Sequence, residues 1–486
     1  MNETDIVLID PPNILCKQKD TAGLSRNASL PHLGLLSVAA VIEKQGYSIK
    51  YIDSKALGMD VEQCCNESIK YKPRYIGITA TTPTINFAAK VANRLKAEYE
   101  RTIIIGGAHI SGAPVKTMRI FKSFDIGVIR EGEMTILELL AALDKGLDLN
   151  NVKGIAYRNG EKIILTEPRD YIADLNTLPL PAWHLLPELS KYYQPNYMST
   201  GRLPSNHMIT SRGCYGKCIF CDKSVTGGRI RAFDPAYVLE MVDILHNKYG
   251  IRDIQINDDS FLSLKKRAHV ICDELIKRKW DLTFSCDARV DNIDKDLMVK
   301  LKRAGFWQVA FGIESGSQEI LDFIKKGITL EQVEKAVALA KEVGIKVKGF
   351  FILGHPTETK DTIMQTVNFM LKLDISDFGL TFFTPYPGSP FYEDACKYGQ
   401  FKEDWDSMGG YCVDSFVPKD FTQKELIAYR KLAYRKFYLR PKIIYSKLKD
   451  IKSPFDLIKF ANGVWSLSQK FLTDSMLHKS KSSAEI

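Results

Sequence analysis

Short apolar runs alternate with amphipathic stretches along most of this chain. IVLID (6 to 10), SIKYID (48 to 53), RYIGITA (74 to 80), TIIIGG (102 to 107) and FDIGVI (124 to 129) are apolar segments of strand length. Between them, LGLLSVAAVIEKQGY (33 to 47), VEQCCNESIKYK and NFAAKVANRLKAEY carry helical spacing, and TILELLAALDKG follows the fifth run. Strict alternation of this kind predicts a doubly wound parallel sheet, covered on both faces, over residues 1–145. Ligands of such sheets sit beyond the carboxyl ends of the strands. Those ends carry Pro11, Asp53, Thr81, Thr82, Gly106, Gly107, His109, Glu131, Gly132 and Glu133. Small and hydroxyl side chains there leave room for a bulky flat ligand, although ordinary turn chemistry accounts for each of them as well. No G-x-G-x-x-G follows the first strand, so nothing specific points to a dinucleotide.

Residues 146–198 are expected to be a connector. It contains a hairpin, GIAYRNGEKIILT, with Asn-Gly at its turn, and then a proline-rich extended stretch, LNTLPLPAW. From residue 199 the alternation restarts and gives about six βα units by residue 395. Six are too few for a closed eight-stranded barrel. A partial (β/α)6 TIM barrel, open at its side, is expected. Residues 396–486 are expected to be helical with a disordered end from 477. In KELIAYRKLAYRKFYLRP (424 to 441), Tyr429, Tyr434, Phe437 and Tyr438 interleave with Arg and Lys. Two readings stay open: a lid helix packing its aromatics on the barrel, which is the expected one, and a peripheral membrane contact.

Composition narrows the class. Of 486 residues 45% are hydrophobic and 26% charged, as in a soluble globular protein of two or three domains. No signal peptide is read at the start and no apolar run approaches the roughly 20 residues that span a bilayer. The ten cysteines are scattered apart from one triplet and Cys64–Cys65, which suits a reducing cytoplasm. Nothing suggests nucleic-acid binding. The net charge of +9 is uneven, with an excess of Lys and Arg in the carboxyl-terminal region.

The chemistry concentrates in that triplet, Cys214, Cys218 and Cys221, in SRGCYGKCIFCDK. Three thiolates on one tight loop are one short of the four that close a 4Fe–4S cluster, and so leave one iron open. A zinc site needs a fourth ligand; Cys272 lies in a helical stretch, and His207, upstream, is the alternative. The spacing favours the cluster over zinc.

CYGKCIFC resembles the signature of the radical S-adenosylmethionine (SAM) superfamily, and NDDSF, SCDARVD, FGIESGS, FFILGHPTET and TPYPGSPFYE follow in the expected order. Residues 4 to 145, through PHLGLLSVAAVIEKQGY, YIGITATT, IIIGGAHISGAP and FDIGVIREGEMTILELL, resemble the flavodoxin- or Rossmann-like cobalamin-binding domain that precedes many such enzymes. The resemblance implies three cofactors: a 4Fe–4S cluster on the three cysteines, SAM on the open iron, and cobalamin. It implies SAM contacts at Phe220, Asp258, Asp259, Arg289, Glu314, Ser317 and Gly354, and cobalamin contacts at the strand-end residues named above. The partner of a buried Glu314 is either the bound ammonium or a nearby Lys or Arg. The D-x-H-x-x-G motif is absent, so cobalamin is expected without a protein His on cobalt.

The implied enzyme is a cytoplasmic methyltransferase. It acts on an unactivated carbon, or phosphorus, of a small molecule or lipid through a 5′-deoxyadenosyl radical, with an electron donor such as flavodoxin or ferredoxin. The nearest rival is a cyclisation or rearrangement like that of the anaerobic magnesium-protoporphyrin monomethyl ester cyclase. A methylthiotransferase is disfavoured, since only Cys16 lies near an amino-terminal strand tip. A non-enzymatic cofactor carrier is the remaining alternative.

Overall fold

The computed structural model describes residues 3–13, 29–193, 200–451 and 454–472. Cys16 and residues 477–486 lie outside them.

The five expected amino-terminal strands form: β1 (Ile6–Asp10), β2 (Ile49–Asp53), β3 (Tyr75–Thr79), β4 (Thr102–Gly106) and β5 (Ile126–Val128). They pair in parallel in the order β2-β1-β3-β4-β5. Alternation along β1 sends Ile6 and Leu8 into one apolar layer and Val7 and Ile9 into the other. The hairpin expected in the connector joins this sheet instead of standing apart. Its strands, β6 (Ile155–Asn159) and β7 (Lys162–Leu165), continue the sheet antiparallel beyond β5. The pairing satisfies the edge of β5 and buries Ile155, Ala156 and Tyr157.

The second sheet has six parallel strands in chain order: β8 (Ser205–Met208), β11 (Asp253–Ile256), β12 (Thr283–Ala288), β13 (Phe306–Glu314), β14 (Lys346–Leu353) and β15 (Asp377–Phe382). This is the expected partial barrel. Between β8 and β11 two short strands, β9 (Ser211–Arg212) and β10 (Arg231–Ala232), pair antiparallel and frame the cysteine loop.

The two sheets share an apolar core. Leu8 and Leu139 belong to the same buried cluster as Phe284 and Ile313, with Trp183, Tyr193 and Met208 in the same cluster. The carboxyl-terminal region reaches back as well. It carries the ribbon β16 (Gly399–Phe401) and β17 (Phe416–Pro418). Trp405 and Met408, between its strands, complete the other amino-terminal layer, and Asn86 donates to Asp406 at 2.8 Å.

Helix Gln423–Tyr438 starts at Thr422, which forms a capping box with Glu425. It lays Tyr434, Phe437 and Tyr438 around Phe378 of β15, with ring centroids 4.8, 4.8 and 5.5 Å away. These three aromatics pack on the barrel, as the lid reading expected, whereas Tyr429 meets Phe421 edge-on at 6.3 Å. Among the described residues no helix is long and apolar enough to cross a membrane.

Candidate functional site

The cysteine loop is held at its base by carboxylates at the tip of β11. Asp258 accepts hydrogen bonds from Thr210 N–H (2.5 Å), Thr210 Oγ1 (2.5 Å) and Ser211 Oγ (2.7 Å). Burial pushes its carboxyl up, and these donors work against that shift. Asp259 accepts from Gly213 N–H at 3.1 Å. Gly213 has φ +90°, and a Cβ there would strike the Arg229 carbonyl, so only glycine fits the start of the loop.

Inside the loop two sulfurs close on one point. A Cβ on Gly216 would lie 3.4 Å from Cys214 Sγ, 3.7 Å from Cys218 Sγ and 3.4 Å from an Arg289 guanidinium nitrogen. Gly216 N–H also points to Cys214 Sγ at 3.4 Å. Burial pushes the Cys221 thiol up to about 12, with Cys218 adding to the shift, so a bound cation is needed to hold it as thiolate. Among the described residues no three His, Cys, Asp or Glu side chains converge on a single ion. A 4Fe–4S cluster has no such requirement, because each thiolate binds a different iron. The donor set therefore fits the cluster. His207, the alternative zinc ligand, is used elsewhere: its Nε2 lies 2.8 Å from the Pro31 carbonyl and its Nδ1 2.9 Å from Asn257 Nδ2.

Behind the loop sit three charged groups. Arg289 is buried under Tyr215 and donates to both oxygens of Asp291 (3.0 and 2.9 Å) and to the Lys326 carbonyl (3.1 Å). Most of its fork is thus occupied, and the end near Gly216 faces the sulfurs. Glu314, with φ +68°, pairs with Lys326 Nζ at 2.7 Å, both side chains being at most 10% exposed. Its protein partner is Lys326. Ser317 is buried at the start of helix Gln318–Phe323, and Phe220 meets Phe383 edge-on at 6.4 Å. Gly354 has φ +79° and donates to Glu358 at 2.5 Å; a Cβ there would lie 3.3 Å from Leu426 Cδ1 of helix Gln423–Tyr438. That glycine serves a turn and a helix contact.

A cavity of about 340 Å³ lies between the strand ends of both domains. On the amino-terminal side it is lined by Thr79, Thr81, Gly106, Gly107, Ala108 and the stretch Arg130–Glu133; on the barrel side by Ser211, Arg212, Tyr237, Asn257 and Asp259. A Cβ on Gly106 would meet nothing within 4 Å. That open floor, walled by Leu35, Val38, Ile104 and Val128, fits a large flat apolar face such as that of a corrinoid.

Four strand-end residues expected at this site are not among the described residues that line the cavity. Asp53 accepts from Tyr193 Oη at 2.6 Å, and burial beside Asp10 raises its carboxyl to about 6. Pro11 is buried at the tip of β1. His109 Nδ1 lies 3.2 Å from Thr82 Oγ1, and its ring lies 4.4 Å from Trp405. These two side chains serve the seam with the carboxyl-terminal ribbon.

Glu131 and Glu133 face the cavity and also bind across the domain boundary. Arg212 reaches Glu131 at 2.9 Å and Glu133 at 2.6 Å, and Arg231 reaches Glu131 at 2.7 Å. Ser37 donates to Glu133 at 2.8 Å. Neither arginine stood out in the sequence, because an Arg beside a strand reads as a surface residue. His32 was missed too. It caps helix Leu33–Lys44 by accepting from Leu35 N–H at 3.1 Å and lies 3.3 Å from Thr79 Oγ1, so both ring nitrogens are engaged on the cavity wall. A His directly before LGLL was its only signal.

Comparison with known proteins agrees with this geometry. The Radical SAM superfamily pattern matches residues 208–370 and the B12 binding domain pattern matches residues 20–140. The chain is 35% identical over 425 residues to an uncharacterized methyltransferase of Pyrococcus horikoshii, covering 87% of this chain and 90% of that protein. It is 26% identical over 415 residues to the anaerobic magnesium-protoporphyrin IX monomethyl ester cyclase of Rubrivivax gelatinosus, covering 83% and 72%. Among solved structures, the radical S-adenosylmethionine methyltransferase TsrM from Kitasatospora setae superposes with a TM-score of 0.70 at 17% identity over 99% of this chain and 100% of that one. The cobalamin-dependent S-adenosylmethionine radical enzyme OxsB superposes with a TM-score of 0.71 at 18% identity over 99% and 76%. At these identities the two structures speak for the fold.

Proposed function

The chain belongs to the radical SAM superfamily, in the branch that carries a cobalamin-binding domain, and from that premise we propose that it is a methyltransferase acting on a small molecule or lipid. The observation that carries the reading is the shared cavity: the base of the cysteine loop and the open glycine floor of the cobalamin-type domain face one space. When bound, the family's cofactors supply a 5′-deoxyadenosyl radical and a transferable methyl group.

The chain's own residues do the placing. Cys214, Cys218 and Cys221 hold the cluster, and Asp258 and Asp259 keep their loop in register. Arg289, through its end near Gly216, carries positive charge beside the sulfurs, where a ligand carboxylate docks. The Glu314–Lys326 pair keeps that wall neutral without a buried unpaired charge. Asn257, Asp259 and Tyr237 offer polar contacts to substrate on the barrel side, while the apolar walls exclude water from a reactive radical. The electron comes from a low-potential donor of flavodoxin or ferredoxin type.

The test is anaerobic reconstitution with a strong reductant and methyl-deuterated SAM. Methylation gives 5′-deoxyadenosine, S-adenosylhomocysteine and a labelled product. Cyclisation, favoured by the similarity to the cyclase, gives 5′-deoxyadenosine without S-adenosylhomocysteine. Failure to form 5′-deoxyadenosine rejects both.

A peripheral contact with an anionic lipid surface belongs to helices Pro441–Lys449 and Pro454–Leu472. They expose Tyr445, Leu448, Leu457, Ile458 and Trp465 among lysines, whereas helix Gln423–Tyr438 spends Tyr434, Phe437 and Tyr438 on the barrel. Sedimentation with phosphatidylglycerol but not phosphatidylcholine vesicles, abolished by Tyr445→Glu/Leu448→Glu, is expected. Protein left in the supernatant with both lipids rejects the contact.

A further inference from the structure

We propose that Arg212 is a positioning residue that sets the separation between the cysteine loop and the cobalamin-type domain. The inference rests on the reading of the cavity as the place where both cofactors meet, and it concerns this chain's own residues.

Four observations carry it. The cysteine loop leaves and re-enters the fold through β9 and β10, and the two arginines at its base, Arg212 and Arg231, are direct cross-strand partners. Both reach out of the barrel into the other domain. Arg212 binds two different carboxylates with two different nitrogens, Glu131 at 2.9 Å and Glu133 at 2.6 Å. A planar fork held at both ends fixes distance and rotation together, which a lysine ammonium does not do.

Arg231 occupies the second oxygen of Glu131 at 2.7 Å and also donates to the Thr226 carbonyl, inside the loop, at 2.9 Å. Glu131 is therefore shared, and the two sides of the loop base are tied to one group. The carboxylates start helix Gly132–Asp144, whose first turn lines the cavity. Arg212 is two residues from Cys214. A shift of the guanidinium against Glu133 therefore moves a cluster ligand against the cavity floor.

The four side chains are between 3% and 12% exposed and balance in charge, two Arg against two Glu. Buried ionic networks of this kind contribute little net stability over well-packed apolar residues, and their best-attested use is to select one arrangement. The cavity wall is also an expensive place for charge. A pair that served only to hold the domains together has cheaper sites, such as the apolar core around Trp183 that already joins them.

The experiment uses the reduced holoenzyme, in which cob(II)alamin and the cluster are both paramagnetic, and measures their separation by pulsed dipolar EPR. Amide hydrogen exchange of residues 128–137 and 209–233 in the cofactor-free protein is read in parallel. Arg212→Lys keeps the charge and removes the fork. We expect it to bind both cofactors in wild-type amounts, to broaden or shift the distance distribution, and to raise exchange in the two segments about tenfold, the equivalent of one charge-assisted hydrogen bond. Lys300→Met, which removes a half-buried pair with Asp273 far from the cysteine loop in sequence, is the control and leaves both readouts unchanged.

If Arg212→Lys does not yield folded protein, Glu133→Gln is read the same way. A distance distribution and exchange pattern that superpose on the wild type, with at most a lower melting temperature, make Arg212 a merely structural residue and overturn the proposal. Absence of either paramagnetic signal from the wild type would instead strike the functional reading, which the exchange data do not depend on.

Discussion

Cys214, Cys218 and Cys221 owe their geometry to neighbours that make no covalent contribution: Gly213, which alone tolerates the loop's first turn, and Gly216, around which two sulfurs gather. Replacing any one of the three cysteines by Ala is expected to remove the cluster's visible absorbance and its iron and to drop 5′-deoxyadenosine formation to background; iron analysis of anaerobic protein checks it. Gly106 invites a complementary test. Its missing side chain faces open space at the end of β4, so Gly106→Val is expected to fold with a stability change within about 0.5 kcal/mol, as at unpacked sites. Its branched side chain then occupies the floor of the cavity, and cobalamin retention after desalting should fall more than about tenfold, or 1.4 kcal/mol. Unchanged retention would place the corrinoid elsewhere. Individual residues were legible in the sequence where chemistry and spacing coincide, as in the triplet. They were not legible where a side chain's partner is remote in the chain, as for Glu314 with Lys326 or Asp53 with Tyr193.

At the scale of elements, periodicity predicted every parallel strand of the two large sheets, because each must bury one or both faces and says so in its apolar positions. It placed the hairpin β6–β7 in a connector, since pairing to β5 is a choice of edge that no local pattern records. Helix Gln423–Tyr438 shows the same division. Its aromatics were plain, but their partner was not, and the ring cluster around Phe378 decides for the barrel. Phe437 is fully buried there, so Phe437→Ala is expected to cost about 3–5 kcal/mol by lost burial and cavity formation. Chemical denaturation followed by circular dichroism measures it; a cost below about 1 kcal/mol would mean the helix docks only loosely.

Across the whole molecule, the contacts between the two domains include a shared apolar core around Trp183, the Arg212–Glu133 network, and the ribbon that brings Trp405 onto His109. The last has a pH signature. Burial lowers the His109 pKa to about 4, below its ordinary 6.5, so the folded protein holds it neutral. The unfolded chain then binds more protons between those values, and stability present above pH 6.5 is lost as pH falls toward 4, by roughly 3 kcal/mol for a shift of this size. Denaturation curves at a series of pH values should therefore fall more steeply for the wild type than for His109→Gln; parallel curves would show that the ring is not buried in the seam.

Strand and helix periodicities, the cysteine spacing and the order of the motifs along the chain were determined by the sequence alone. Each is a local property, set by which faces a segment must bury and which atoms a short loop brings together. Only the tertiary structure decided which strand-end residues share the cavity, that Glu131 and Glu133 are bound by Arg212 and Arg231, and that His109 supports a seam. Those outcomes depend on how two sheets and a returning ribbon pack against one another, and contacts between residues 79 to 320 positions apart leave no periodic trace in either partner.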